Sequence, residues 1–358
     1  MKKLPRIARV LPLPKDAFPK VAVLFAARDE AEKLPRALAS LLAQDYPNYE
    51  VVAVDDRSRD ATGKILEEFA KTHSKLKVVP IDKLPPGWVG KSHALQQAYE
   101  HSTGEWLVFT DADVCFAPDL VSRAMQLVKD RGWDHLTLLG QLELVGFWEK
   151  TATIYFGVGF AFGVEPWRVH DPRSRRYMGA GYFQLLRRSA YETIGTHRRL
   201  AMEIVDDMKL GKLVKLGGFR SGVALAEDHV RLRWNEGFAE MIRGVTKNLF
   251  AASEYSILRV VGSVLAIMAI SVLPFVALAV GRGQAQLFAG VAAAAAVAMH
   301  SWAAHNNRVP VLYGFTHPLG ALIFCYMLLR STVVTLWRGG VVWRDTFYPL
   351  EELRKGQV

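Results

Sequence analysis

Short apolar runs, each closed by charged or turn-forming residues, alternate with amphipathic stretches through the first third of the chain. Val21–Ala27 (VAVLFAA) reads as a buried strand, bounded by Pro19-Lys20 and Arg28-Asp29. Residues 30–43 set Leu34, Leu38, Leu41 and Leu42 on one face of a helix. A second strand is predicted over Glu50–Val54, ending in Asp55-Asp56-Arg57-Ser58, and a second amphipathic helix over Ala61–Thr72. Lys77–Ile81 predicts a strand, His93–His101 a helix, and Glu105–Thr110 a strand ending in Asp111-Ala112-Asp113. Strand and helix alternating at this spacing predict an α/β domain with a mostly parallel central sheet. Ligands of such sheets bind beyond the carboxyl ends of the strands, where both acidic clusters fall.

The pattern changes near residue 257. Three apolar stretches, about 257–280, 285–304 and 318–337, each have the roughly 20 residues needed to cross a bilayer. Trp302, Tyr313, Trp337 and Trp343 stand where an aromatic belt is expected, and Arg330 interrupts the third stretch. Three crossings would put the tail opposite the soluble half, yet Arg338, Arg344, Arg354 and Lys355 argue for the same side. One of the three is therefore expected to be re-entrant or interfacial, with nothing to say which. Residues 142–163, apolar, aromatic and broken by glycines, fit an interfacial helix or a core helix of the soluble half equally well. The expected organisation is a basic segment over 1–20, a soluble domain over 21–255, a membrane region over 256–340 and a basic tail over 341–358.

Composition narrows the classes. Over 358 residues, 51% are hydrophobic and 22% charged, which excludes disordered and collagen-like chains and allows a core without metals or disulfides. A net charge of +10 fits nucleic acid or an anionic lipid surface, and the apolar stretches favour the lipid, with no nucleic-acid partner. Lys2, Lys3, Arg6, Arg9, Lys15 and Lys20, and Arg173-Ser174-Arg175-Arg176, are candidate membrane-facing clusters or simply solvated faces. The two cysteines, Cys115 and Cys325, lie in different halves, so no disulfide is expected. Pro5, Pro12, Pro14 and Pro19 interrupt any signal-peptide core, which predicts a multi-pass protein of the cytoplasmic membrane with its soluble domain in the cytoplasm.

Asp111 and Asp113 carry the sharpest chemistry. Two carboxylates so spaced at the end of a buried strand suit a divalent cation that also binds phosphate oxygens. Turn formation is the bland alternative, and the strand before them gives the pair its weight. Asp55 and Asp56 end their strand in the same way. They can accept hydrogen bonds from a nucleotide, or shape the turn before a helix capped at Ser58 or Asp60. In Glu203-Ile204-Val205-Asp206-Asp207, an aspartate can act as general base toward a hydroxyl, or sit as the acidic first turn of a helix over Met208–Leu216. Arg231 and Arg233 can grip a diphosphate, with Trp234 as a packing surface for a sugar. Lys91, closing Gly87-Trp88-Val89-Gly90-Lys91, could reach a phosphate from a helix start.

Several of these segments, in order, resemble the family-2 glycosyltransferases with a GT-A fold: Ala26-Ala27-Arg28-Asp29-Glu30-Ala31, Val54-Asp55-Asp56-Arg57-Ser58-Arg59-Asp60, Gly87-Trp88-Val89-Gly90-Lys91, Thr110-Asp111-Ala112-Asp113, Gly179-Ala180-Gly181-Tyr182-Phe183-Gln184 and Val205-Asp206-Asp207. The Gly-Trp-x-Gly-Lys loop, with Trp337-Arg338-Gly339-Gly340 and Tyr348-Pro349-Leu350, is similar to the membrane-bound subgroup near ceramide glucosyltransferases and hopanoid-associated and carotenoid-type glycosyltransferases. The resemblance implies a GT-A domain followed by transmembrane helices. It implies transfer of one sugar, with inversion, from a nucleotide-sugar (a UDP-sugar first) to a lipid hydroxyl, assisted by Mg²⁺ or Mn²⁺. Arg28, Glu30, Asp55, Asp56, Lys91, Asp111 and Arg231 would bind the donor, and Asp113 with Asp111 the metal. Asp207, with Asp206, Arg233 and Trp234, would carry catalysis. Two departures stand out. Asp206-Asp207 replaces the usual Glu-Asp, which leaves open which of the two is the base. Val230 replaces the Gln of the QxxRW motif in Val230-Arg231-Leu232-Arg233-Trp234, which weakens the alternative of a processive polysaccharide synthase. A silent scaffold is the third reading, and the retained carboxylates argue against it.

Overall fold

The computed structural model describes residues 4–13, 18–233 and 237–358; Lys2, Lys3, Lys15 and Trp234 lie outside the described residues. The chain divides into two compact units. The first comprises the described residues of Met1–Leu142, Glu165–Arg233 and Gly356–Val358; the second, those of Glu143–Val164 and Trp234–Lys355. The main run of the first unit thus stops at Arg233, short of residue 255, and the chain returns to it at Gly356.

In the first unit, eight strands among the described residues form one mixed sheet. They are β1 (Val21–Ala27), β2 (Tyr49–Asp56), β3 (Leu76–Ile81), β4 (Trp106–Asp111), β5 (Cys115–Phe116), β6 (His135–Leu142), β7 (Gln184–Arg187) and β8 (Ser221–Leu232), in the order 3-2-1-4-7-6-8-5. The first four are parallel, as their spacing predicts. β7 then enters antiparallel between β4 and β6, and β5 pairs antiparallel with β8. These reversals make the sheet mixed rather than mostly parallel beyond β4.

The helices are α1 (Leu34–Leu42), α2 (Thr62–Thr72), α3 (Gly90–Glu100), α4 (Leu120–Arg131), α6 (Arg188–Thr193) and α7 (Asp206–Leu216), with α5 (Phe147–Val164) in the second unit. β1, β2 and β4 are apolar throughout because both faces are covered. Val21, Val23 and Phe25 point to a core shared with Leu34, Leu38 and Leu41 of α1 and Leu66 of α2. Ala22 and Leu24 point to a second core with Leu95 of α3, Tyr191 of α6 and Leu213 of α7. The two-residue period of a strand divides the run between these cores. The N-terminal segment is not a free basic arm. Ile7 is fully buried, and the Leu225 N–H donates to the Pro5 oxygen (2.8 Å).

The second unit contains α5, α8 (Phe238–Thr246), α9 (Leu249–Ala252), α10 (Ile257–Ile267), α11 (Leu273–Val280), α12 (Gly283–Asn306) and α13 (His317–Arg338). A hairpin of β9 (Gly340–Trp343) and β10 (Thr346–Pro349) and then α14 (Leu350–Lys355) follow. Ile257–Val280, Gly283–Asn306 and Val311–Arg338 are long and apolar enough to cross a membrane. A π-helical turn, Met268–Val272, joins α10 to α11 just before Pro274, whose missing N–H would break a regular helical ladder there. α5 packs in this unit. Its Ile154 and Val158 meet Ala303, Ala304 and Val309, and Tyr155 donates to Ser271 Oγ (2.9 Å). Residues 147–164 are therefore not a core helix of the first unit.

Candidate functional site

The carboxyl ends of β1, β2 and β4 open side by side, with Ala27 opposite Asp55 and Ala26 opposite Asp111. The chain leaves β1 for β2 and β3 on one side and returns to β4 on the other. The crevice between is the topological switch point of the sheet.

Its first wall is made by the loops after β1 and β2, which bond to each other. The N–H groups of Asp29, Glu30 and Ala31 donate to Ser58 Oγ (3.1 Å), Thr62 Oγ1 (2.8 Å) and Asp60 Oδ2 (3.0 Å). Asp29 Oδ1 in turn accepts from the Arg59 N–H (2.7 Å). Asp55 Oδ1 accepts the Ser58 N–H (3.2 Å), closing the expected turn. Asp56 is buried, and both its oxygens are held by Arg57, at 2.7 and 3.1 Å. Arg57 has a positive φ of 60°, a conformation costly for a residue with a side chain. This pairing was not legible in the sequence, where Arg57 is only the residue after Asp55-Asp56. Arg28 has its Nε 4.0 Å from Asp29 Oδ2.

Lys91 stands at the centre, in the first turn of α3. Its ammonium lies 2.7 Å from Asp111 Oδ1 and 3.9 Å from Asp206 Oδ1. Burial would lower its pKa, but Asp111, Asp206 and Asp207 together outweigh burial and hold it above the ordinary lysine range. Asp113 is the opposite case. Burial, then the charges of Asp111 and Glu30, push its carboxyl up to about 6, against a smaller opposing effect of Lys33. Glu30 and Lys33 are thereby placed at the Asp113 end of the crevice.

The Gly179–Gln184 loop closes over this cluster. Thr110 Oγ1 donates to the Tyr182 oxygen (2.9 Å), tying the loop to the end of β4. The Gly181 N–H donates to Asp207 Oδ2 (2.9 Å), and the Met208 N–H to Asp207 Oδ1 (2.7 Å). Asp206 and Asp207 form the first turn of α7, where the helix dipole favours negative charge. A Cβ on Gly179 would collide with the Asp207 main-chain oxygen, and one on Gly181 would lie 2.8 Å from Asp111 Oδ2 and 3.2 Å from Lys91 Nζ. Gly181→Ala is expected to lower activity by at least tenfold while moving the thermal midpoint little, because only side-chain ends must shift. An unchanged turnover would show that the loop need not lie this close.

Beneath the loop, Gln184 Oε1 hydrogen-bonds His135 Nε2 (3.1 Å), and Ser221 Oγ bonds His135 Nδ1 (2.8 Å). His197 bonds Tyr191 Oη (2.6 Å) behind Lys91. Burial, partly offset by Gln184, lowers His135 to about 4; burial and then Lys91 lower His197 to about 3. Both are neutral in the native state, while unfolded histidines take up protons below about 6.5. Stability present above that pH is therefore lost as pH falls toward 4, by about 1.4 kcal/mol per pH unit per histidine. The thermal midpoint of the detergent-solubilised protein should drop between pH 6.5 and 5, and a flat profile would contradict this.

β5, two residues beyond Asp113, pairs Cys115 with Arg231 of β8, which brings Arg231 to the same end of the sheet. Arg231 also bonds Asp228 (3.2 Å). Arg233 lies just past β8, and Trp234 is outside the described residues. Lys91, Asp111, Asp206 and Asp207 are thus one contiguous cluster with Asp113 at its edge, whereas Asp56 is engaged by Arg57.

Among the described residues, no three or more His, Cys, Asp or Glu side chains are arranged to hold a metal by themselves. Mg²⁺ and Mn²⁺ do not require this, since one or two carboxylates with phosphate oxygens and water suffice. Asp111 and Asp113 form such a donor pair. A cation beside Asp113 would offset the burial and the neighbouring carboxylates that raise its pKa, so the residues fit.

Residues 22–195 match the family model for Glycosyl transferase family 2. The chain carries a family-2 glycosyltransferase domain. This domain contains Lys91, Asp55, Asp111, Asp113 and the glycine loop, while Asp206 and Asp207 follow just beyond its matched end. The chain is 37% identical over 113 residues to a beta-monoglucosyldiacylglycerol synthase of Trichormus variabilis, covering 31% of this chain and 24% of that protein. A Synechocystis protein of the same name is 27% identical over 237 residues (62% and 48% of the two chains). A 4,4'-diaponeurosporenoate glycosyltransferase of Staphylococcus haemolyticus is 25% identical over 231 residues (64% and 60%). The matches thus span from 24% to 60% of the lengths of these relatives. A mannosyltransferase structure from Pyrobaculum calidifontis, solved with GDP-mannose and Mn²⁺, superposes with a TM-score of 0.57 at 20% identity, covering 88% of this chain and 90% of that one. The likeness establishes the GT-A fold of the family-2 domain.

Proposed function

We propose that this protein is a membrane-anchored, inverting glycosyltransferase that moves one sugar from a nucleotide-sugar, a UDP-sugar first, to a lipid hydroxyl. The observation that carries the reading is the Lys91–Asp111–Asp206–Asp207 cluster at the switch point of the sheet, roofed by the glycine loop. The lipid-type substrates in the names of the relatives support it, as do the three apolar helices. The neighbour solved with GDP-mannose and Mn²⁺ supports a donor diphosphate held with a cation.

Asp55 and Glu30 would face the nucleoside, and Lys91 and Arg231 the diphosphate. Asp111 and Asp113 would hold Mg²⁺ or Mn²⁺, which when bound offsets the charge developing on the leaving diphosphate. The acceptor oxygen attacks the anomeric carbon from the face opposite the diphosphate. Its proton passes to the Asp207 carboxylate, the anomeric C–O bond to the diphosphate breaks, and the nucleoside diphosphate leaves. One such displacement inverts the configuration. Hydrogen bonds from Gly181 and Met208 hold Asp207 in place for that transfer.

Purified protein in lipid nanodiscs, given UDP-sugars and Mg²⁺, should yield a glycolipid heavier by one sugar, with inverted linkage, and none after chelation. A ladder of products would move the reading to a polysaccharide synthase. A retained configuration would remove the single displacement.

A further inference from the structure

We infer that Lys91 is an internal counter-ion, which keeps Asp111 from a divalent cation until the diphosphate of a nucleotide draws its ammonium away. Cation and nucleotide then bind as a coupled pair, and the cation alone binds weakly. This rests on Asp111 and Asp113 being the cation site, as proposed above, and gives Lys91 a second arrangement that the donor contact alone does not require.

The Lys91 ammonium holds Asp111 Oδ1 at 2.7 Å. One positive charge thus already stands against a carboxylate that the cation needs, and two cations sharing one carboxylate repel each other. The same ammonium lies 3.9 Å from Asp206 Oδ1 and also feels the charge of Asp207. It therefore offsets, in one place, much of the negative charge that would attract a dication. The glycine loop passes close over both partners, since a Cβ on Gly181 would lie 2.8 Å from Asp111 Oδ2 and 3.2 Å from Lys91 Nζ. That loop is pinned by the bonds of Tyr182 to Thr110 and of Gly181 to Asp207 (2.9 Å each). The pair is nevertheless within reach of solvent, with side chains 22% and 37% exposed, so a phosphate can approach it.

The moving part is the side chain and not the helix. Just before Lys91, the Val89 N–H donates to the Ala201 oxygen (2.6 Å), which fixes the start of α3. A Cβ on Gly90 would lie 2.7 Å from both Asp56 Oδ2 and the Arg57 guanidinium, so the backbone there is closely packed. The lysine stem is flexible and carries a compact point charge, which changes partner by rotamer alone. A diphosphate offers that charge more acceptors and more negative charge than one carboxylate does. Once the ammonium turns to the phosphates, Asp111 faces the cation that the phosphates also bind. Each ligand then favours the other, and the coupling is reciprocal.

The charge of Lys91 is what this device needs. A neutral donor at position 91 could still bond Asp111, but it would neither repel a cation nor be drawn strongly to a diphosphate. Removing the charge should therefore open the cation site in the absence of any nucleotide. A residue that served only to bind the diphosphate would leave the affinity for the cation alone unchanged.

Mn²⁺ binding to the detergent-solubilised full chain, read from the electron paramagnetic resonance of the free ion, tests this without any turnover. Lys91→Met and Lys91→Gln are measured beside the unchanged protein, each with and without UDP; the glutamine keeps a hydrogen bond to Asp111 and serves if the methionine variant does not fold. Without UDP, the variants should bind Mn²⁺ roughly tenfold tighter or more, and the factor by which UDP tightens Mn²⁺ should shrink to match. Adding Asp113→Asn to either variant should remove the gain. Variants that bind Mn²⁺ alone no tighter than the unchanged protein, while UDP still promotes Mn²⁺ binding to that protein, would overturn the counter-ion and leave the proposed cation site standing. A gain that survives Asp113→Asn would put the ion elsewhere and also overturn it. No Mn²⁺ binding to the unchanged protein even with UDP would remove the cation site itself, and the counter-ion with it.

Discussion

Asp207→Asn should cut turnover roughly a thousandfold while leaving nucleotide affinity within about threefold, the signature of losing a general base alone. The asparagine side chain has the same shape and keeps one acceptor for the Gly181 or Met208 N–H, so the first turn of α7 and the loop above it should hold. What is lost is the second oxygen and the ability to take a proton. Turnover measured under saturating donor, beside calorimetric binding of UDP with Mg²⁺, separates the two effects. Near-normal turnover would move the base elsewhere. Asp206, buried and 3.9 Å from the Lys91 ammonium, would be the next residue to replace.

Asp113→Asn should abolish transfer and yet raise the stability of the metal-free protein. The raised pKa of Asp113 means that its charge is disfavoured in the fold. A carboxyl at about 6 in the native state, against roughly 3.9 unfolded, destabilises the protein by up to about 3 kcal/mol above pH 6. That penalty disappears below the unfolded pKa, where the group is neutral in both states. Asparagine removes the charge, so the metal-free thermal midpoint should rise at pH 7.5, and the gain should fade as pH falls through 6 and below. Donor binding, in contrast, should lose its dependence on Mg²⁺. A variant that is both inactive and less stable would show that Asp113 is a structural residue. One that binds UDP with unchanged Mg²⁺ dependence would take it out of the cation site.

Much of the first unit was legible because its signals are local. Buried strands with both faces covered read as unbroken apolar runs, which is why β1, β2 and β4 stand within two residues of their expected bounds, and the acidic clusters follow from where those runs stop. Elements decided by distant partners were not legible. β7 enters antiparallel beside β4, with Leu186 and Leu185 opposite Leu107 and Val108, a pairing with no local mark. Arg231 comes near Asp113 only through the two-residue strand β5. The Asp56–Arg57 pair and the convergence of Lys91 on three carboxylates depend on side-chain directions that spacing does not carry. Residues 142–163 looked equally suited to two homes because their composition is apolar either way; Tyr155 and its partners decide it.

The most direct test of the central claim is transfer of label from nucleotide-sugars on membranes that contain this protein. Radiolabelled UDP-sugars are supplied with Mg²⁺ or Mn²⁺, followed by organic extraction and chromatography, beside membranes carrying Asp207→Asn. A discrete organic-soluble product with one donor, absent from the variant, is the predicted result. Equal product from Asp207→Asn membranes, or label found only in polymer, would contradict a single-sugar transfer to lipid at this site.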